Sequence, residues 1–317
     1  MKAIQTELHR HLDVSLRIGT LLELAQARGF EPTSTSVDGF REKFIMKTPM
    51  ADLGTVLAQF SLFQKVLDRP EVLERVAFET VEDCRNEGTR QVELRFSPRF
   101  VCQYSQLSWE VALDSFEAGM KRALAKYPDM KAGLICIASR DLGIDQVYKT
   151  VDFFLKNRTR FLAVDLAGDE KHYPGAQFEK AFQIAKDAGA NITIHAGEGA
   201  GPDRVWEAIE LLGAKRIGHG IASIQDPALM KHLAENQICL EVCPTSNWLT
   251  NAVTEMKNHP LPILLRAGVP VCINTDDPGI FGSYLPNEIR ICREVLGMSE
   301  AEIDQCFAHA AKATFLK

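Results

Sequence analysis

Apolar residues in this chain gather into short, β-branched runs separated by longer stretches of helical period. The runs are TELHRH (6–11), QVELRFS (91–97), AGLICIAS (132–139), FLAVDLAG (161–168), NITIHAG (191–197), RIGHG (216–220), ICLEVCP (238–244) and PVCINTDD (270–277). Each is short enough to be a buried strand and is bounded by turn residues. The intervening segments carry helix punctuation. GPDRVWEAIELLG places Pro202 in a first turn and Gly213 just past a last one. Asp226 stands before Pro227 as an N-cap, and Ser299 with Glu302 has capping-box spacing. Eight strands alternating with helices predict an α/β fold of the (β/α)8 barrel type.

The interval between the first two runs is the exception. It extends over about residues 15–90 and holds several helical patterns, among them TLLELAQARG and LGTVLAQFSLFQKVL. A helical insertion there would lie over the C-terminal face of the barrel and form a lid. With no linker, low-complexity tract or short repeat, residues 1–317 are expected to form one domain.

Composition narrows the setting. A net charge of −6 does not suit nucleic acid or an anionic membrane as partner. No apolar run is long enough to span a bilayer, and candidate chemistry that begins at His9 leaves no room for a signal peptide. The eight cysteines are scattered without a C-x-x-C pair, so a disulfide framework or cysteine-rich zinc site is not expected. Reduced thiols and a cytoplasmic location follow as expectations.

The chemistry lies at the ends of the runs. In a strand, residues i and i+2 point the same way, about 6.6 Å apart, so His9 and His11 can converge on one ion. Taken alone, H-x-H is a weak signal. The fifth run, however, ends with His195 and is followed by Glu198, the sixth ends with His219, and the eighth with Asp276 and Asp277. A barrel projects all of these onto its catalytic face. Three imidazoles and one carboxylate suit Zn²⁺ with a position left for water. Bound zinc would lower the pKa of that water toward neutrality, a further histidine could take its proton, and a carboxylic acid could protonate the substrate. This is equipment for hydrolysis of a C–N or similar bond. The helical H-E-x-x-H motif and the H-x-E with P-C-x-x-C pattern are both absent. The fourth run ends VDLAGDE with no lysine before Lys171, which favours one metal over a lysine-bridged pair.

ELHRHLD, VELRFSP, VDLAGDE, IHAGEGAGP, RIGHG, EVCPTSNWLT and INTDDPGIF occur in the order found in the adenosine deaminase family, which the chain resembles from about residue 6 to its C-terminal helices. HAGEGAGP and CPTSN are most similar to the bacterial branch. The resemblance implies one Zn²⁺ per chain held by His9, His11, His195 and Asp276. It implies His219 as general base and electrostatic stabiliser toward the attacking water, and Glu198 as the donor of a proton to purine N1. Asp277 would bond N7, the Gly168 N–H would approach N3, Asp13 would reach the ribose 5′ side, and Phe60 and Phe63 would form an apolar lid. Adenosine and 2′-deoxyadenosine would be hydrolysed to inosines and ammonia in purine salvage, with a small purine nucleoside and water as partners.

Two positions depart from the family pattern. Val14 stands where glycine usually follows HLD, adding bulk at the 5′ subsite, and Ser61 replaces a frequent acid after Phe60. The alternatives are therefore deamination of another 6-aminopurine, such as adenine, methylthioadenosine or a 5′-extended adenosine, and a catalytically idle relative that binds nucleosides or partners. AMP is disfavoured by the lack of a basic cluster, and a cyclic-amide hydrolase by the missing lysine.

Overall fold

A computed structural model describes residues 5–50 and 60–317. Eight parallel strands are found among them: β1 (Thr6–His11), β2 (Gln91–Phe96), β3 (Lys131–Ser139), β4 (Phe161–Ala167), β5 (Thr193–Ala196), β6 (Arg216–His219), β7 (Cys239–Val242) and β8 (Val271–Ile273). They pair in sequence order as two runs, β1 to β4 and β5 to β8. Single bridges join the runs. Val164 N–H donates to Asn191 C=O at 3.0 Å between β4 and β5. After β8, His11 N–H donates to Asp276 C=O at 2.9 Å and Asp276 N–H to His9 C=O at 3.0 Å. The ring is thus closed, as the alternation of strand and helix predicts, and its last closure passes through the residues expected to bind metal.

Helices cover the outside. Pro70–Asn86 buries Val72, Leu73, Val76, Ala77 and Val81 on one face and packs against Trp109–Lys126. The two approach closely: a Cβ on Gly119 would fall 2.0 Å from the Glu74 carbonyl oxygen. Burying each such valine or leucine contributes roughly 1.5–3 kcal/mol. Pro70–Asn86 is therefore the barrel's own crossover helix, and the helical insertion is shorter than the expected 15–90. Its described helices are Ile18–Ala27, Val37–Phe44 and Ser61–Val66. The first part of LGTVLAQFSLFQKVL, up to residue 59, lies outside the described residues.

The helix signals are realised as the sequence reads. Asp226 accepts from the N–H groups of Ala228 and Leu229, and Ser299 and Glu302 form a reciprocal capping box. All eight cysteines are free and buried. Among the described residues no helix is long and apolar enough to cross a membrane.

Candidate active site

His9, His11, His195 and Asp276 arrive from three parts of the ring and meet at one end of the barrel. One ligand-type atom from each lies within 4.8 Å of the others. His9 Nε2 and His11 Nε2 are both 3.3 Å from Asp276 Oδ1, and His11 Nε2 is 3.2 Å from His195 Nε2.

The far nitrogens show why a cation suits this cluster. His9 Nδ1 lies 2.9 Å from Glu241 Oε2, and His195 Nδ1 lies 3.0 Å from Asp165 Oδ2. A carboxylate there holds the proton on Nδ1, so each Nε2 directs a bare lone pair into the cluster. His9 Nε2 is buried without a hydrogen-bond partner. Converging lone pairs beside a carboxylate repel one another unless a cation lies between them, and two or three imidazoles with a carboxylate are a donor set for a transition-metal ion. Burial, opposed by Asp276 and reinforced by His195 and His9, holds the His11 imidazole well below its ordinary value, so it too stays neutral. Burial acts to raise the Asp276 carboxyl, but the neighbouring rings of His9, His219 and His11 hold it well below the usual carboxylate range.

Local backbone geometry is unusual at two of these positions. His219 and Asp276 have φ of 59° and 63°, a left-handed conformation costly for side chains of their size. At Asp276 it lets the backbone close the barrel while the carboxylate turns inward.

A cavity opens beside the cluster. Its wall includes His11, Asp13, Val14, Phe60, Phe100, Gly168, His195, Glu198, His219, Asp276, Asp277 and Phe281. Glu198 Oε1 accepts from the Thr250 hydroxyl at 3.0 Å, and Oε2 lies 3.5 Å from His219 Nε2. Glu170 fixes the loop that carries Glu198: its carboxylate accepts from the N–H groups of Gly197, Glu198, Gly199 and Ala200 at 2.7–3.2 Å. Asp277 is buried with Oδ1 unpartnered, and burial, then the charges of Asp276, Asp13 and Glu198, push its carboxyl well above the usual range. Asp13 Oδ2 accepts from Ser97 N–H at 3.0 Å, and burial raises this carboxyl to about 7. Gly168 has φ of 102°, and a Cβ there would meet Asp141 Oδ1 at 2.0 Å. Glycine is required on both counts. Phe60 meets Phe100 edge-on across the cavity mouth, with centroids 5.8 Å apart. Phe63 does not line the cavity; it is fully buried against Phe44 and the backbone at Gly279. Helical spacing in an apolar segment does not distinguish these two surroundings.

Residues 5–317 match the family model described as adenosine deaminase. The chain belongs to the adenosine deaminase family. An adenosine deaminase from Vibrio parahaemolyticus is 39% identical over 315 residues, covering 98% of this chain and 93% of that one. Among solved structures, an adenine deaminase from Arthrobacter aurescens superposes with a TM-score of 0.90 at 26% identity, covering 99% of this chain and 94% of that one. An amidohydrolase from Burkholderia ambifaria with bound Zn reaches a TM-score of 0.90 at 25% identity, covering 100% of this chain and 86% of that one. The family's hydrolytic C–N chemistry agrees with the deaminase expected from the motifs.

Several residues escaped sequence reasoning, among them Asp165, Glu241 and Glu170. Asp165 and Glu241 sit in FLAVDLAG and ICLEVCP as lone charges within runs that otherwise read as buried strands. Parallel barrel strands are covered on both faces, so a carboxylate inside one needs a cation or proton donor, and that was the available signal. Glu170, in VDLAGDE, had no local signal, because its four partners lie 27 or more positions away.

Proposed function

We propose that this protein hydrolyses the 6-amino group of adenosine and 2′-deoxyadenosine, releasing ammonia, with one Zn²⁺ held by His9, His11, His195 and Asp276. The observation that carries the proposal is that these four residues form one cluster, and that three of them, His11, His195 and Asp276, share a cavity wall with Glu198, His219 and Asp277. Zinc held by these residues would supply a water activated as nucleophile at neutral pH.

The chain's own residues then have separate tasks. Glu198 holds one oxygen against Thr250 and turns the other toward the cavity, where it supplies a proton to purine N1 and leaves C6 open to attack. His219, beside Glu198, stabilises negative charge on the attacking oxygen. Burial and the neighbouring carboxylates favour the protonated form of Asp277, which would donate a hydrogen bond to N7. The Gly168 N–H faces N3, and Asp13 takes the 5′-hydroxyl. Phe60, with Phe100 and Phe281, excludes water from the mouth. Residues 1–317 act as one domain, with the insertion after β1 as lid.

Val14 supports a second reading. It lines the cavity next to Asp13 with an apolar side chain, which suits an apolar 5′ substituent. A panel of adenine, adenosine, 2′-deoxyadenosine, 5′-deoxyadenosine and methylthioadenosine, scored by ammonia release, separates the readings. Highest kcat/KM on adenosine is expected. Preference for methylthioadenosine moves the function to 5′-modified substrates, and preference for adenine removes the sugar subsite.

A further inference from the structure

His219 presents Nε2 to the cavity and buries Nδ1 behind it. Nδ1 lies 3.1 Å from Asn247 Nδ2. The same amide places Oδ1 3.2 Å from His259 Nε2, and His259 Nδ1 accepts from the Leu261 N–H at 3.1 Å. His219, Asn247 and His259 are at most 2% exposed.

The polarity of this chain is fixed from its far end. A backbone N–H can only donate, so His259 Nδ1 bears no proton. Burial lowers the His259 imidazole to about 3, so it is neutral and carries its single proton on Nε2. That N–H donates to Asn247 Oδ1. The amide is thereby oriented with Nδ2 toward His219, and an amide nitrogen can only donate. His219 Nδ1 must accept. Rotating the amide by half a turn would set its N–H₂ against the His259 Nε2–H, leaving two donors face to face between buried side chains.

We propose that Asn247 and His259 form a positioning relay that fixes His219 as the Nε2–H tautomer, so that His219 offers the cavity a hydrogen-bond donor. A donor at Nε2 stabilises an oxygen nucleophile and does not take its proton from that position. The relay rests on the deaminase reading only for its consequence in catalysis; the tautomer itself is a property of the buried chain.

The test is long-range ¹H–¹⁵N correlation on the metal-loaded protein with ¹⁵N-histidine, His219 being assigned by the signal lost in His219→Gln. A pyridine-type Nδ1 and a protonated, pyrrole-type Nε2 are expected. Protonated Nδ1 in wild-type protein overturns the relay, whatever the activity. Asn247→Asp replaces the donor by an acceptor, draws the proton to Nδ1, and should exchange the two ¹⁵N signatures. Loss of one donor to a developing oxyanion costs on the order of 10²-fold in kcat, so kcat of Asn247→Asp should fall by about that factor with KM nearly unchanged. His259→Phe frees the amide to rotate and should give a mixture of tautomers with an intermediate kcat. Unchanged signatures in a folded Asn247→Asp protein overturn the proposal. Since the tautomer is read without turnover, a protein that shows it but releases no ammonia from adenosine counts against the deaminase reading and not against the relay.

Discussion

Glu198 differs from an ordinary surface glutamate because each of its oxygens has a separate neighbour. Glu198→Gln preserves the size of the side chain and an oxygen for the Thr250 hydroxyl at 3.0 Å but removes the transferable proton. The expected result is unchanged metal content with kcat reduced about 10²–10⁴-fold; near wild-type turnover would assign the acid elsewhere. Asp13 makes a second prediction. Its Oδ2 accepts from Ser97 N–H, while Oδ1 lies 4.0 Å from His11 Nδ1, and the residue lines the cavity. A buried group left unpaired discriminates strongly against a substrate that lacks its partner. Replacing adenosine by 5′-deoxyadenosine should lower kcat/KM by at least about 10²-fold, with 2′-deoxyadenosine little affected; equal rates would detach Asp13 from the 5′ side. At this scale the sequence was legible where chemistry sits at strand ends, as with His9, His11, His195 and Asp276. It was not legible where a residue acts through partners far along the chain. Glu241 reaches back 232 positions to His9, and no local pattern encodes that distance.

Seven of the strands were read to within two residues of their ends, while the eighth, read over 270–277, is Val271–Ile273. Compact apolar runs mark barrel strands buried on both faces, and caps act over only three or four residues. The extent of the insertion was misread, since an amphipathic helix shows that one face is buried but not what buries it. Pro70–Asn86 has the same helical pattern whether it covers a lid or the barrel. Contacts between elements also create titrating groups that periodicity does not reveal. Glu288, on the helix Leu285–Glu294, accepts from Thr245 N–H at 3.0 Å and Thr245 Oγ1 at 2.5 Å, tying that helix to Pro244–Leu249, which carries Asn247. Burial raises this carboxyl from 4.5 to about 7. Below pH 4.5 both folded and unfolded chains hold the proton. Between 4.5 and 7 the unfolded chain releases it while the folded one keeps it, so stability falls as pH rises, and the dependence ends above 7. The full effect is on the order of 3 kcal/mol. Glu288→Gln imitates the protonated form. Urea unfolding should find the variant close to wild type at pH 4.5 and gaining relative stability up to pH 7. A constant difference between the two across that range would rule the account out.

At the scale of the whole molecule, the cluster of His9, His11, His195 and Asp276 is the upper end of a charged column inside the barrel. Glu241 bonds His9, Arg95 and Arg216, while Arg95 also bonds Asp165, the partner of His195. Arg216 Nη2 bonds Glu93 Oε2 at 2.6 Å, and Glu93 Oε1 accepts from Thr314 Oγ1 at 2.6 Å and Phe315 N–H at 2.5 Å. The guanidinium of Arg216 also lies 3.8 Å from the Phe315 ring centroid. The column thus runs from the catalytic face to the C-terminal segment at the opposite end. It holds four carboxylates, Asp276, Asp165, Glu241 and Glu93, against two guanidinium groups, Arg95 and Arg216, all buried. The excess is two negative charges, and buried charge left uncompensated is costly. A single divalent cation held by His9, His11, His195 and Asp276 would remove that excess without altering any other part of the column. Folding and metal binding should therefore be linked across the barrel, beyond the four ligands themselves. Elemental analysis is expected to find about one zinc per chain. Removing it with a chelator should lower Tm, and adding back one equivalent of Zn²⁺ should restore it. At free zinc about 1,000 times Kd the linkage is worth about 4 kcal/mol. Glu93→Gln, which cancels one of the two excess charges at the end remote from the metal, should reduce the loss of stability on chelation. Two metals per chain, or a Tm indifferent to their removal, would refute the charge argument.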